Sequence, residues 1–244
     1  MAAEHSPLEQ FAITRLVELK VGGVDVSFTN SSAMMVAVIV LVTLFMALSM
    51  RHNAMVPGRW QLAAELSYEF IAKTVRDTIG TEGKRFFPFV FTLFMFVLFS
   101  NVLGLIPHSF TVTSHIIVTF ALASFIFLSV TLLGFIRHGL KFLTFFLPPG
   151  VPMFLAPLLV PIELISYLSR PVSLSVRLAA NMLAGHTMLA VFAGFVVALG
   201  LFGIAPFIFI ILLYGLETLV AFLQAYVFAV LTCIYINDSI HLHH

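Results

Sequence analysis

The sequence predicts an all-α polytopic membrane protein. It reads as a single membrane domain over residues 1–244, with about five transmembrane helices, one interfacial amphipathic helix and a long C-terminal helical hairpin. Three observations predict this. Of the 244 residues, 61% are hydrophobic and only 9% charged, where a soluble domain carries roughly 25% charge. Several apolar runs reach or exceed the ~20 residues that cross a bilayer as a helix. The breaks between these runs hold Pro, Gly or clustered Lys and Arg. The same composition excludes disorder. A net charge of +1 gives no basic footprint for nucleic acid, whose binding needs clustered cations.

Residues 1–28 form a polar outer N-terminal segment carrying Glu4, Glu9, Glu18 and Asp25. No basic stretch runs straight into an apolar core there, so a cleaved secretory signal is not expected. The first span is 33–50. Over 59–80, Leu62, Leu66, Phe70, Val75 and Ile79 recur at helical spacing opposite Gln61, Glu65, Glu69, Lys73, Arg76 and Asp77. That pattern fits an amphipathic helix lying in the membrane surface, or equally one packed on another subunit. Spans two and three are 86–107 and 116–136. From Phe142 to Asn237 the chain is apolar almost throughout. Pro148, Pro149, Gly150, Pro152, Pro157 and Pro161 divide its first part into a broken, re-entrant approach. Gly200, Gly203 and Pro206 mark a tight turn between long helices at 160–198 and 206–237.

Loop charges set the orientation. Arg51, Arg59, Lys73, Arg76, Lys84 and Arg85 lie in 51–85, and Arg137 and Lys141 in 137–141. The 108–115 and 198–206 loops carry no Lys or Arg. Both basic loops and the C-terminus are therefore expected inside, and the N-terminus outside.

Between Phe142 and Asn237 only Glu163, Arg170, Arg177 and Glu217 are formally charged. An Arg at mid-bilayer costs about 2.5–3.5 kcal/mol on insertion scales. Helix–helix ion pairing is one reason to keep it, and Arg170 also reads as a snorkelling anchor near the inner end. Spacing favours more than pairing for the rest. Glu163, Arg170 and Arg177 are seven apart and share a stripe, which Asn181 continues one turn on. Glu217 and Gln224 are also seven apart on the partner helix. Folding the hairpin about residue 201 brings Arg177 opposite Gln224 and His186 opposite Glu217. His186 is nine residues from Arg177, about 180° around the helix, so it faces another surface. A carboxylate and an imidazole in a wet crevice can pass protons. Asn101, Ser100, His108 and His115 are candidates to line that crevice, with interfacial hydrogen bonding the alternative.

The stretch Ser169-Arg170-Pro171-Val172-Ser173-Leu174-Ser175-Val176-Arg177-Leu178-Ala179-Ala180-Asn181-Met182-Leu183-Ala184-Gly185-His186 resembles the signature of subunit a of F-type ATP synthase. Glu217 with Leu223-Gln224-Ala225-Tyr226-Val227-Phe228 is similar to the matching signature of that family's last helix, and Asn101-Val102-Leu103-Gly104-Leu105-Ile106-Pro107 to an earlier membrane motif. The resemblance runs from about residue 8 to 238. It implies a stator subunit that conducts protons through two offset half-channels, its C-terminal hairpin packed against a rotating c-ring. Arg177 would be the essential arginine and Gln224 its partner. Asn181 matches a polar family position and Glu163 an acidic one near the inner exit. His186 precedes Glu217, the order of mitochondrial-type members, and Gly104 stands where some bacterial members have an acidic residue. Ser6-Pro7-Leu8-Glu9-Gln10-Phe11 looks alphaproteobacterial, or mitochondrial by descent. The implied partners are the c-ring, b-type peripheral-stalk subunits, the remaining F1Fo complex and the lipid bilayer. The implied location is the bacterial inner membrane, with the mitochondrial inner membrane as the alternative.

No cofactor or metal is expected. HExxH, CxxC and GxSxG motifs are missing, Gly80-Thr81-Glu82-Gly83-Lys84 is too short for a phosphate loop, and Cys233 is a lone cysteine within an apolar run. The His241-Leu242-His243-His244 tail reads as solvated. A proton-coupled secondary transporter would show repeated halves with paired broken helices, and the Arg177 segment has no second copy. An intramembrane hydrolase would need a nucleophile and a base at one depth. The chain itself carries no evident catalytic chemistry.

Overall fold

Apolar runs in a membrane protein become helices because hydrocarbon offers no partner to a free N–H or C=O. The computed structural model describes residues 13–18, 20–21, 24–25, 27–51, 57–106, 109–139, 141–142 and 153–241. Pro148, Pro149, Gly150, Pro152, His108, His243 and His244 lie outside them. Six helices follow in order: α1 (Asn30–Ser49), α2 (Arg59–Ile79), α3 (Phe87–Gly104), α4 (Ile116–His138), α5 (Ala156–Leu199) and α6 (Ile204–Ile240). Among the described residues, all but α2 are long and apolar enough to cross a membrane. The protein is an all-α polytopic membrane protein.

Ahead of α1, the polar N-terminal segment folds back on itself as two short antiparallel ladders. Strand β1 (Arg15–Val17) pairs with β4 (Phe28–Thr29), and β2 (Lys20–Val21) with β3 (Val24–Asp25). The β-branched Val17, Val21, Val24 and Thr29 suit extended backbone. Thr29 then caps α1, its Oγ1 accepting from Ser32 N at 3.3 Å.

The α2 helix departs from the simple amphipathic pattern. Val75 and Ile79 are buried as that pattern requires, but Leu62, Leu66 and Phe70 are exposed. The inward face instead holds Gln61, Ala64, Ile71, Thr74 and Val75. Small Ala64 and Thr74 let α2 pack close on α3 and α6, while the bulkier side chains turn outward. The helix thus has a protein-facing stripe and a second apolar stripe beside it.

α6 is the centre of the bundle and packs on α2, α3, α4 and α5. Ala221, Ala225 and Ala229, four apart, are fully buried. Small residues at that spacing let helix backbones approach where lipid gives no hydrophobic drive. Phe94, Met95, Ile126, Leu174, Leu178 and Phe228 fill the space around them.

The last two helices are unusual in length. At 1.5 Å per residue, the 44 residues of α5 and 37 of α6 run about 66 and 55 Å, against a hydrocarbon core of ~30 Å. Excess length of this kind is taken up by tilt. α5 starts at Ala156, within the stretch expected to be a broken approach and four residues before the expected start at 160. Pro157 occupies its first turn, where a missing N–H costs nothing, and Pro161 and Pro171 lie inside the helix. Gly200, at φ +56°, turns the chain into α6, a conformation that disfavours a Cβ.

Candidate functional site

The hairpin brings its polar side chains together at three levels. At the level nearest the turn, His186 of α5 faces Glu217 of α6, with Nε2 to Oε1 at 3.6 Å. That is beyond a hydrogen bond but within charge–charge reach. The two side chains are 11% and 6% exposed. Both Glu217 oxygens are buried without a hydrogen-bond partner among the described residues, a state that costs a carboxylate dearly unless it is used. Gly185 makes the approach possible: a Cβ there would sit 2.6 Å from Glu217 Oε1.

The short 3-10 turn Val112–Ser114 closes this level, packing on α3, α4 and α5. Thr111 Oγ1 lies 3.2 Å from His186 Nε2 and donates to Gly104 O at 3.3 Å. Tyr214 OH donates to Leu105 O at 3.1 Å, tying the end of α3 to α6. His115 stacks on Phe110 at 4.9 Å and its Nε2 is buried without a hydrogen-bond partner among the described residues. Burial lowers the His115 pKa from its ordinary value, because desolvation disfavours the cation.

One level further along, Asn181 Nδ2 donates to Gln224 Oε1 at 3.4 Å. Asn101 donates to Ala221 O at 3.0 Å. Its own Oδ1, Ser100 Oγ and Gln224 Nε2 are buried without hydrogen-bond partners among the described residues. A crevice of about 180 Å³ between α5 and α6 runs from Asn181 past Gly185 and Met188 to Glu217. Arg177 is one turn from Asn181 on an exposed face of α5. Gln224 is thus joined to Asn181, while Arg177 is exposed on α5.

At the third level, Arg170 is held rather than free. It pairs with Asp238 Oδ2 at 3.1 Å and lies over the Tyr167 and Tyr235 rings at 5.3 and 5.2 Å. Glu163, half-buried, is one seven-residue step nearer the start of α5 and stands apart from the other levels. Among the described residues no group of His, Cys, Asp or Glu could hold a metal ion.

Sequence reasoning missed Thr111, Gly185 and the Asp238 partner of Arg170. The only available signal was a polar 108–115 loop and a Gly beside His186.

Comparison with known proteins shows the family. The family model described as ATP synthase A chain matches residues 32–237. The chain is 57% identical to "ATP synthase subunit a" of Pelagibacter ubique over 98% of this chain and 99% of the relative. It is 58% identical to the protein of that name from Paramagnetospirillum magneticum over 98% and 99%, and 55% to that from Rhodospirillum rubrum over 98% and 100%. With Arg177, Gln224 and Glu217 all inside the matched residues, the chain belongs to the ATP synthase A chain family.

Proposed function

We propose that this membrane protein is the proton-conducting stator subunit of an F-type ATP synthase. The reading is carried by one observation: a buried carboxylate, Glu217, whose oxygens have no hydrogen-bond partner among the described residues, faces an imidazole at one end of a crevice that is otherwise apolar apart from Asn181. A structural ion pair would close its hydrogen bonds. A proton station leaves them open to water.

In this reading protons enter past His115, His186 and Glu217, move along the Asn181–Gln224–Asn101 level, with Ser100 beside it, and reach a carboxylate of the c-ring seated on the exposed face of α5. That carboxylate must be neutral in lipid, where a bare charge is expensive. Opposite Arg177 it ionises, because two charges about 4 Å apart at an effective dielectric near 20 attract by about 4 kcal/mol. The loaded site rotates away through lipid and discharges to an inner half-channel near Glu163. Fixed positive charge between the two half-channels blocks a direct leak. Each proton contributes about 2.3 kcal/mol per 100 mV to rotation.

The loop charges support an outer N-terminus and an inner C-terminus, and bacterial relatives support an inner-membrane site. The b-type stalk and the remaining F1Fo complex complete the assembly. The test is Arg177→Ala in membrane vesicles. Assembly should persist while proton-driven ATP synthesis is lost. Synthesis at the parent rate in an assembled Arg177→Ala complex refutes the proposed role.

A further inference from the structure

We propose that Thr111 is a positioning residue for the His186–Glu217 pair, its hydroxyl setting which imidazole nitrogen carries the proton that Glu217 receives. The proposal rests on the reading of His186 and Glu217 as a proton-handling pair. Gly104 is the last residue of α3, so its carbonyl has no helical donor and needs another. The Thr111 hydroxyl donates to that carbonyl at 3.3 Å. A hydroxyl has one hydrogen. With that hydrogen spent on Gly104, Thr111 Oγ1 can only accept from His186 Nε2, 3.2 Å away. The resting imidazole therefore carries its hydrogen on Nε2, the nitrogen 3.6 Å from Glu217 Oε1.

The proton balance then follows. A proton taken up at Nδ1 makes the imidazolium. The Nε2 proton passes to the Glu217 carboxylate, giving the neutral acid and a neutral ring with hydrogen on Nδ1. The Thr111 hydroxyl, turning from Gly104 O, donates to the bared Nε2 and keeps the ring in place until it is reset. Closing 3.6 Å to hydrogen-bonding range takes a side-chain movement under about 1 Å.

A packing role competes with this one. A Cβ at Gly104 would lie 2.7 Å from Thr111 Cγ2, so the methyl also fills space. Two pairs of variants separate the roles. Thr111→Val keeps the shape and removes the hydroxyl, whereas Thr111→Ser keeps the hydroxyl and removes the methyl. Passive proton conduction is measured in vesicles holding the assembled complex stripped of its soluble sector. Thr111→Val should conduct roughly five- to tenfold more slowly than the parent, the scale of one lost hydrogen bond, and Thr111→Ser should conduct within about twofold of it. Should Thr111→Val fail to assemble, Thr111→Ser against Thr111→Ala, differing by one oxygen, makes the same comparison. Parent-like conduction in Thr111→Val, or equal conduction in the Ser and Ala variants, overturns the proposal. Glu217→Gln in the same vesicles distinguishes the two levels of failure. If it conducts like the parent, the underlying reading fails and this inference with it. If Glu217→Gln is slow but Thr111→Val is not, only the Thr111 assignment falls.

Discussion

Gly185 shows how a residue with no side chain shapes a site. The Glu217 carboxylate lies against α5 at this glycine, where a methyl would meet Oε1 at 2.6 Å and Cδ at 2.9 Å. Gly185→Ala should push Glu217 away from His186 at an overpacking cost of about 1–3 kcal/mol. The assembled variant should conduct protons at least about tenfold more slowly, while Gly194→Ala, where a Cβ has open space, should not. Equal conduction by both would mean that the close approach is irrelevant. His115 gives a second test at this scale. Its pKa is lowered in the folded loop, so above about pH 6.5 the ring is neutral in folded and opened forms alike. Below that, the opened loop binds a proton that the closed loop resists, and closure weakens as pH falls towards the lowered value. Amide protection factors over 109–115 should drop as the pH is taken from 7.5 to 5.5. In His115→Gln they should stay flat.

At the scale of elements, Arg170 fastens α5 to the C-terminal end of α6, away from the hairpin turn. The guanidinium sits between two tyrosine rings and pairs with Asp238. The sequence suggested a snorkelling anchor, and the Asp238 partner lies 68 residues away, where spacing gives no guide. Each cation–π contact is worth about 0.5–1 kcal/mol, and a partly exposed ion pair about as much or less. Arg170→Ala should therefore cost about 1–2 kcal/mol, seen as earlier thermal dissociation of the detergent-solubilised complex. Proton-driven ATP synthesis should be reduced far less than in Arg177→Ala. Loss of coupling as complete as that expected of Arg177→Ala would make Arg170 part of the transport machinery.

Across the whole molecule, α6 is surrounded on several sides while α5 leaves a long apolar face uncovered. Val172 and Val176 are 47% and 42% exposed and flank the exposed Arg177. A face of this kind, bearing one intramembrane cation, fits a protein partner better than lipid alone. A cysteine at Val176 should cross-link to one placed on the outer helix of a c subunit. A cysteine at Leu132 of α4, also exposed, should not. Cross-linking at Leu132 but not at Val176 would move the rotor to another face.

Much of the fold was legible because lipid makes the rules simple. Length and apolarity alone mark five helices, since no other open structure satisfies its backbone in hydrocarbon. The register of the hairpin was also readable, because antiparallel helices joined by a short turn oblige residues equidistant from it to face one another. Hence His186 meets Glu217 in the structure. Arg177 was expected opposite Gln224, yet Gln224 bonds Asn181, one helical turn nearer the hairpin turn, because a short turn fixes the register only to within about a turn and not the rotation of each helix about its axis. The two-striped packing of α2 was hidden for a related reason: hydrophobicity no longer distinguishes protein-facing from lipid-facing residues, and size decides instead. The sequence by itself determined the class and the presence of five helices long and apolar enough to cross a membrane. Only the tertiary structure decided which atoms meet, bringing Thr111 to His186 across 75 residues and Asp238 to Arg170, because those contacts depend on how helices rotate and loops fold back, which no local period encodes.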